Sequence, residues 1–262
     1  MELLYGVHPV EEVVRSGSRT LDYVVVARER KDERLDRLLQ LCRDAGVRVS
    51  IEPRDQLTRL AKTDAHQGVL AMVRGRKLLV MEDLLDPALE GQYRFLLALD
   101  GVEDPHNLGA ILRTCDAAGV DGVLLPERRV APLNATVAKT SAGASEHVRI
   151  AQVTNLVRSL EQAKQHQFWI VGLDERGTVD YSDFDFRANV VLVLGREGAG
   201  MHELTKRTCD HLVRIPMAGS ISSLNVSVAG AVVMYEAMRQ RREVRRPEAK
   251  QTVAKQRKGL GS

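Results

Sequence analysis

Five short apolar runs after residue 93 constrain this chain more than any other feature. RFLLALD (94–100), DGVLLP (121–126), FWIVGLD (168–174), NVVLVLG (189–195) and HLVRIP (211–216) are almost unbroken hydrophobic stretches, separated by segments with helical spacing. A strand with one wet face alternates polar and apolar residues. A strand that is apolar throughout must be covered on both faces, and such strands alternating with helices build a parallel sheet in an α/β fold. Ligands of these sheets bind beyond the carboxyl ends of the strands, so chemistry is expected in the loops leaving these runs.

Residues 1–73 carry a different, shorter-scale pattern. HPVEEVVRSG has helical spacing and stops at Gly17, LDYVVVA reads as a strand, and KDERLDRLLQLCRDAG gathers Leu35, Leu38, Leu39 and Cys42 on one helix face before Gly46. VRVSI, RDQLTRLAK and QGVLAMV continue as strand, helix and strand. The expected organisation is a small α/β domain over 1–73, a connection over 74–92, a larger α/β domain over 93–243 and a basic tail over 244–262.

Charge is unevenly placed. The 262 residues carry a net charge of +3, yet from Arg239 onward there are nine Lys/Arg against two Asp/Glu. A segment so poor in large apolar residues has little to bury against its ordering entropy and is expected to be disordered after about Arg245. It reads either as an electrostatic arm for phosphates or as a solubilising tail. No apolar run reaches the ~20 residues of a membrane span, and the amino terminus lacks a basic, apolar export signal, so a cytoplasmic protein with no membrane partner is expected. Cys42, Cys115 and Cys209 form no paired or zinc-type spacing, which fits reduced thiols and no bound metal.

Three segments carry candidate chemistry. In LDGVEDPHNLGAILRTCDAAG (99–119) a strand ends at Asp100 and a loop leads into a helix whose buried face is Leu108, Ile111, Leu112 and Cys115; Asp104 or Asn107 could cap it, and Arg113 leaves the buried face near its edge. On pattern alone Arg113 also reads as a solvated arginine. VVLVLGREGAGM (190–201) is a strand running into a glycine-rich turn. It lacks the Walker Gly-Lys-Ser/Thr, and its Gly195, Gly198 and Gly200 are not spaced as in the dinucleotide fingerprint. Glu197 inside that turn would repel a phosphate but suits a cationic or neutral ligand such as a sulfonium. In the third segment, 211–241, a strand exits at Ile215-Pro216 into a loop rich in serine, and a helix is expected from near Ser222, with Asn225 in its first turn where it is neither a usual cap nor core. The small residues Ser227, Ala229, Gly230 and Ala231 let a neighbour approach closely, in a subunit interface or in a tight core.

Together the three segments closely resemble the SpoU/TrmH family of RNA ribose 2′-O-methyltransferases, within the knotted SPOUT superfamily. Asn107 and Arg113 match its first motif, Gly195, Glu197 and Gly200 its second, and Ser223, Leu224 and Asn225 its third. The resemblance covers residues 1 to about 242 and includes YGVHPVEEVV, HQGV, PLNATVAKTSAGA and IPMAGSISSLNVSVA. It implies a ribosomal-protein-like RNA-binding domain at the amino end, a deep trefoil knot in the catalytic domain, homodimerisation, and S-adenosylmethionine (AdoMet) as cofactor without a metal. The implied substrate is 23S ribosomal RNA or its assembly precursor, methylated on a guanosine ribose. Gly195, Ile215 and Leu224 match positions whose backbones hold AdoMet, with Gly200 and Met217 beside them. Arg113, Asn107, Glu197, Ser223 and Asn225 match the residues expected around the reacting ribose. A guanidinium stays protonated, so Arg113 is better suited to clamp a phosphate and steady a developing oxyanion than to act as a literal base; Glu197 orients the cofactor loop or pairs with Arg113. Arg196, at a variable place in the glycine turn, is the one visible departure. Two rival readings are the methylation of another RNA and a non-enzymatic ribosome-assembly module.

Overall fold

Two sheets organise the chain. The computed structural model describes residues 1–76, 78–85 and 93–258, with side chains through 242. Along the amino-terminal unit the elements are β1 (Glu2–Tyr5), α1 (Val7–Ser16), β2 (Leu21–Ala27), α2 (Glu33–Asp44), β3 (Val49–Glu52), α3 (Arg54–Ala61) and β4 (Val69–Val73). The strands lie in the order β1-β4-β2-β3, with only β2 and β3 parallel. Gly17 takes the left-handed conformation that ends α1, as its position in the sequence suggests. β1 has no counterpart among the sequence expectations; with four residues, one of them buried, it offers no period to read.

The segment expected only as a connection is partly ordered and partly outside the described residues. Leu79 bridges Ala151 at the edge of the larger sheet, and α4 (Met81–Leu85) buries Met81, Leu84 and Leu85. Leu84 lies so close to Gly122 that a Cβ there would stand 2.6 Å from its Cδ2.

The larger unit continues with β5 (Phe95–Leu99), α5 (Pro105–Ala118), β6 (Gly122–Pro126), α6 (Ala135–Thr140), β7 (Ile150–Val153), α7 (Leu156–Gln165), β8 (Trp169–Leu173), β9 (Val179–Asp180), β10 (Val190–Leu194), α8 (Glu203–Thr208), β11 (His211–Arg214) and α9 (Val226–Lys258). Its seven strands are all parallel, in the order β7-β6-β5-β10-β8-β11-β9. All five apolar runs are strands, and the reason for their unbroken character is visible. Phe95, Leu97, Leu99, Val190, Leu192 and Leu194 face α5 and α9, while Leu96, Ala98, Val191 and Val193 face α4 and α7. Each leucine removed from water in this way contributes about 1.5–3 kcal/mol. The last helix runs to Lys258, past the point where order is expected to end. Ala, Gln, Lys and Arg are good helix formers.

The smaller unit docks on the larger through a buried charge cluster. Glu146, its side chain wholly buried, accepts two hydrogen bonds from Arg19 (2.9 and 3.0 Å) and one from Ser18 (2.9 Å). Arg19 also pairs with Glu2. Arg76 lies 3.1 Å from the same Glu146 carboxylate, close enough to pair although out of line for a hydrogen bond. Burial pulls the Arg76 guanidinium below its usual value despite the attraction of Glu146. Ala138 of α6 packs into the core of the amino-terminal unit, and Lys139 donates to the Ala65 carbonyl (2.6 Å).

Substituting Glu146→Ala would leave Arg76 buried without its carboxylate and Arg19 with Glu2 alone. The expected loss is about 3–5 kcal/mol, read as a lower midpoint in urea, with Glu146→Gln losing less because it keeps the acceptor oxygen.

Candidate active site

The centre of the larger sheet brings two distant turns together. β10 pairs with β5 in register, Leu194 opposite Leu99, so the turns leaving both strands emerge side by side at the carboxyl edge. α9 crosses the same face, with Gly230 seated on Leu194; a Cβ at Gly230 would stand 2.6 Å from Leu194 Cδ1. All three candidate segments therefore reach one place.

They are tied there by side chains. Asp104 caps α5 by accepting from the His106 amide (2.9 Å), with Pro105 opening the helix, so Asn107 is not needed as a cap. Buried in the first turn, Asn107 donates from Nδ2 to Glu197 (3.0 Å) and accepts at Oδ1 from Asn225 Nδ2 (2.9 Å). Asn225 Nδ2 also reaches the other Glu197 oxygen at 3.4 Å. The sequence expectation for Asn225 needs correction. The helix starts at Val226, not near Ser222, and Asn225 is its cap, accepting from the Ser227 amide (2.9 Å) and hydroxyl (2.6 Å). One amide thus caps a helix with its oxygen and braces Glu197 with its nitrogen. Among the described residues Glu197 pairs with these two asparagines, and no hydrogen bond or ion pair joins it to Arg113.

Next to this hub lies a cavity of about 350 Å³. It is lined by Gly195, Glu197, Gly200, Ile215, Met217, Ser223 and Leu224 of the sequence-expected residues, and also by the turn after β8 with Leu173, Asp174 and Arg176. Gly195 has no room for a side chain: a Cβ would stand 2.3 Å from the Met201 nitrogen and 2.4 Å from the Gly200 carbonyl carbon. The turn closes on itself through paired hydrogen bonds between Arg196 and Gly200 (3.0 and 3.1 Å), with Gly198 and Gly200 in the left-handed region. The cavity therefore offers main chain and apolar side chains as its inner wall and charge at its rim. Asp174, Glu175, Glu197 and Glu203 outnumber Arg176, Arg196 and Lys206 there, an excess of one negative charge that suits a cationic ligand.

Arg113 is exposed, holds no hydrogen bond or ion pair among the described residues, and is not part of the cavity lining. Ser223 and Leu224 are exposed on the loop that closes the cavity. Two further supports escape sequence reasoning. Asp100 accepts from the His202 amide (2.7 Å) and ring Nδ1 (2.8 Å), binding the end of β5 to the end of the glycine turn. Lys206 donates to Asp174 (2.7 Å). Burial raises the Asp174 carboxyl, but the Lys206 bond and the Arg176 amide outweigh it and leave the group below its ordinary value. Only the general rule about carboxyl ends of strands points to these residues. Behind the cavity wall formed by Met201, burial pushes the Cys209 thiol up to about 12.

Comparison with known proteins sets this geometry in context. The model of the SpoU rRNA Methylase family matches residues 94–235, and that of the RNA 2′-O ribose methyltransferase substrate-binding domain matches residues 3–78. The chain is 45% identical over 241 residues to the 23S rRNA (guanosine-2′-O-)-methyltransferase RlmB of Ralstonia nicotianae, covering 92% of this chain and 96% of that one. It is 41% identical over 242 residues to RlmB of Escherichia coli, covering 92% and 99%. In three dimensions it resembles the SpoU methyltransferase AviRb of Streptomyces viridochromogenes, a crystal structure in complex with AdoMet. The TM-score is 0.76 at 26% identity, over 92% of this chain and 90% of that one.

The asparagine hub predicts an asymmetry between two substitutions. Asn225→Asp keeps the capping oxygen but sets a second carboxylate against Glu197, whereas Asn225→Ala loses the cap, about 1 kcal/mol, without adding repulsion. Hydrogen exchange at 195–201 is expected to quicken more in the Asp variant although its helix start stays protected.

Proposed function

Because the chain belongs to the SpoU rRNA methylase family, we propose that it is the methyltransferase that places a methyl group on the 2′-hydroxyl of a guanosine in 23S ribosomal RNA, using AdoMet. The observation that carries this reading is the cavity at the carboxyl edge of β10. There a glycine without room for a Cβ brings main chain to the ligand, and Glu197 is held in place by two asparagines. Those features fit a sulfonium nucleoside: apolar walls from Leu194, Ile215 and Leu224 for a flat base, and net negative charge for the cation.

When bound, AdoMet supplies an electrophilic methyl group. The protein aligns the ribose oxygen, keeps water out and assists departure of the hydroxyl proton. Gly195, Gly200, Ile215, Met217 and Leu224 are assigned to holding the cofactor. Asn107 and Asn225 act as positioning residues, since their amides are spent on Glu197, and Ser223 on the closing loop is assigned to the substrate ribose. Arg113 is assigned to the RNA: its guanidinium, free among the described residues, clamps a phosphate and stabilises charge developing on the attacking oxygen.

Arg113 does not line the cavity of its own chain, which favours a homodimer in which it serves the neighbouring site. Ile221, Val228 and Tyr235, respectively 72%, 49% and 47% exposed, supply an apolar face for that contact. The knotted backbone, a cytoplasmic location and the role of residues 1–73 in gripping RNA belong to the same proposal. No helix among the described residues is long and apolar enough to cross a membrane.

The test is methyl transfer from labelled AdoMet to an unmodified 23S transcript, followed by mapping of the modified nucleotide. Label on a guanosine ribose is the expected result; failure to bind cofactor or to label RNA would sink the assignment. Arg113→Ala is expected to lower kcat about 10²–10³-fold, and Arg113→Lys to retain part of the rate. A lysine variant with the wild-type rate and pH profile would exclude both roles of the guanidinium.

A further inference from the structure

We infer that a phosphate-binding corner lies beside the cofactor cavity, built from Arg129, His202 and Arg196, and that it holds the RNA strand next to the methylated nucleotide. The inference rests on the function proposed above and adds a site to it. Three loops meet at this corner, all from the carboxyl ends of the adjacent strands β6, β5 and β10. The Ala131 amide donates to the Val102 carbonyl (2.9 Å), and Asp100 holds His202 by two bonds, so the loops are joined.

The side chains form a relay. Arg129 donates to His202 Nε2 (3.3 Å), which places the ring proton on Nδ1, where it is given to the buried Asp100. A carboxylate thus orients an imidazole, and the imidazole orients a guanidinium whose remaining N–H donors face solvent. Arg196 is held against the same corner. Gly101, at φ +89, leaves only enough space for it: a Cβ there would stand 2.5 Å from Arg196 Cγ and 3.5 Å from the His202 ring. Arg196 also lines the cofactor cavity, so the corner and the cavity are continuous.

Backbone strain marks the same spot. Arg129 is a non-glycine residue at φ +59, a conformation that costs folding energy and persists where surroundings or function require it. No capping or packing role accounts for an exposed arginine there. The exposed carboxylates on these loops are Glu103, Asp104, Glu127 and Glu197. Asp104 caps α5, Glu127 takes the Thr154 hydroxyl and Glu197 the two asparagine amides, which leaves Glu103 as the uncommitted anion against Arg128, Arg129 and Arg196. A fixed fork of donors matches a phosphodiester, the one group repeated along any RNA strand.

The variant Arg129→Gly tests this directly, because it removes the guanidinium while relieving the backbone. It is expected to melt at or above the wild-type temperature and to bind AdoMet unchanged by calorimetry. It is expected to bind the unmodified 23S transcript about tenfold more weakly, with a salt dependence shallower by about 0.7–0.9 in log–log slope. In steady state the loss should fall on KM for RNA and not on kcat. His202→Ala, which keeps the cationic charge, should weaken RNA binding while leaving the salt slope in place. Transcript affinity and salt slope equal to wild type in Arg129→Gly would overturn the proposal, as would loss of AdoMet binding, which would make Arg129 structural. Failure of the wild-type protein to methylate RNA would instead overturn the function, and the affinity ratio of the two proteins would still decide the phosphate corner.

Discussion

The hydrogen bonds joining Asn107, Glu197 and Asn225 hold together what the chain keeps far apart. Glu197 lies on a turn with three glycines nearby, a backbone with little stiffness of its own. Unbraced, its carboxylate would swing and its loop would open. Asn107 enters from the first turn of α5, and Asn225 enters from the cap of α9, so two helices fix one carboxylate. Neither amide has an alternative role inside its own helix, because Asp104 caps α5 and only the oxygen of Asn225 is used to cap α9. The cavity wall, the closing loop and the start of the last helix therefore meet at a single cluster of three hydrogen bonds, two of which end on the Glu197 carboxylate, a charged acceptor that makes a stronger bond than a neutral one.

That cluster rests in turn on the pairing of β5 with β10. These strands are neighbours in the sheet but separated by four strands in the chain, and their exact register sets Asp100 beside the glycine turn. A slip of one residue would send every side chain of a strand to the opposite face and break the packing on both. The position of the site is thus controlled by burial, and its fine geometry by polar contacts at the strand ends.

Much of this was legible in the residues. The five apolar runs marked their strands because full burial leaves no alternation, and Gly17 marked a helix end because left-handed backbone favours glycine. The Glu197 partners were not legible, because three residues 28 to 118 positions apart meet only after folding. Asn225 was placed inside a helix because the serines before it resemble caps; the chain instead keeps 217–225 irregular to close the cavity. β7 and β9 went unread for a simpler reason. IAQV exposes one residue of four, and β9 has only two residues, too few for any period. The region 74–92 lacks a period as well, yet Leu84 finds a buried place against Gly122 that spacing alone cannot announce.

The sulfur behind the cavity wall has a chemical consequence. An enzyme that stores a reactive alkylating agent must not offer it a better nucleophile than its substrate. Thiolate is such a nucleophile, and thiol is not. Burial pushes the Cys209 thiol up to about 12, so at neutral pH it stays protonated. Desolvation of that one side chain, next to Met201, is therefore a form of chemical self-protection: the scaffold stays inert toward the reagent it carries.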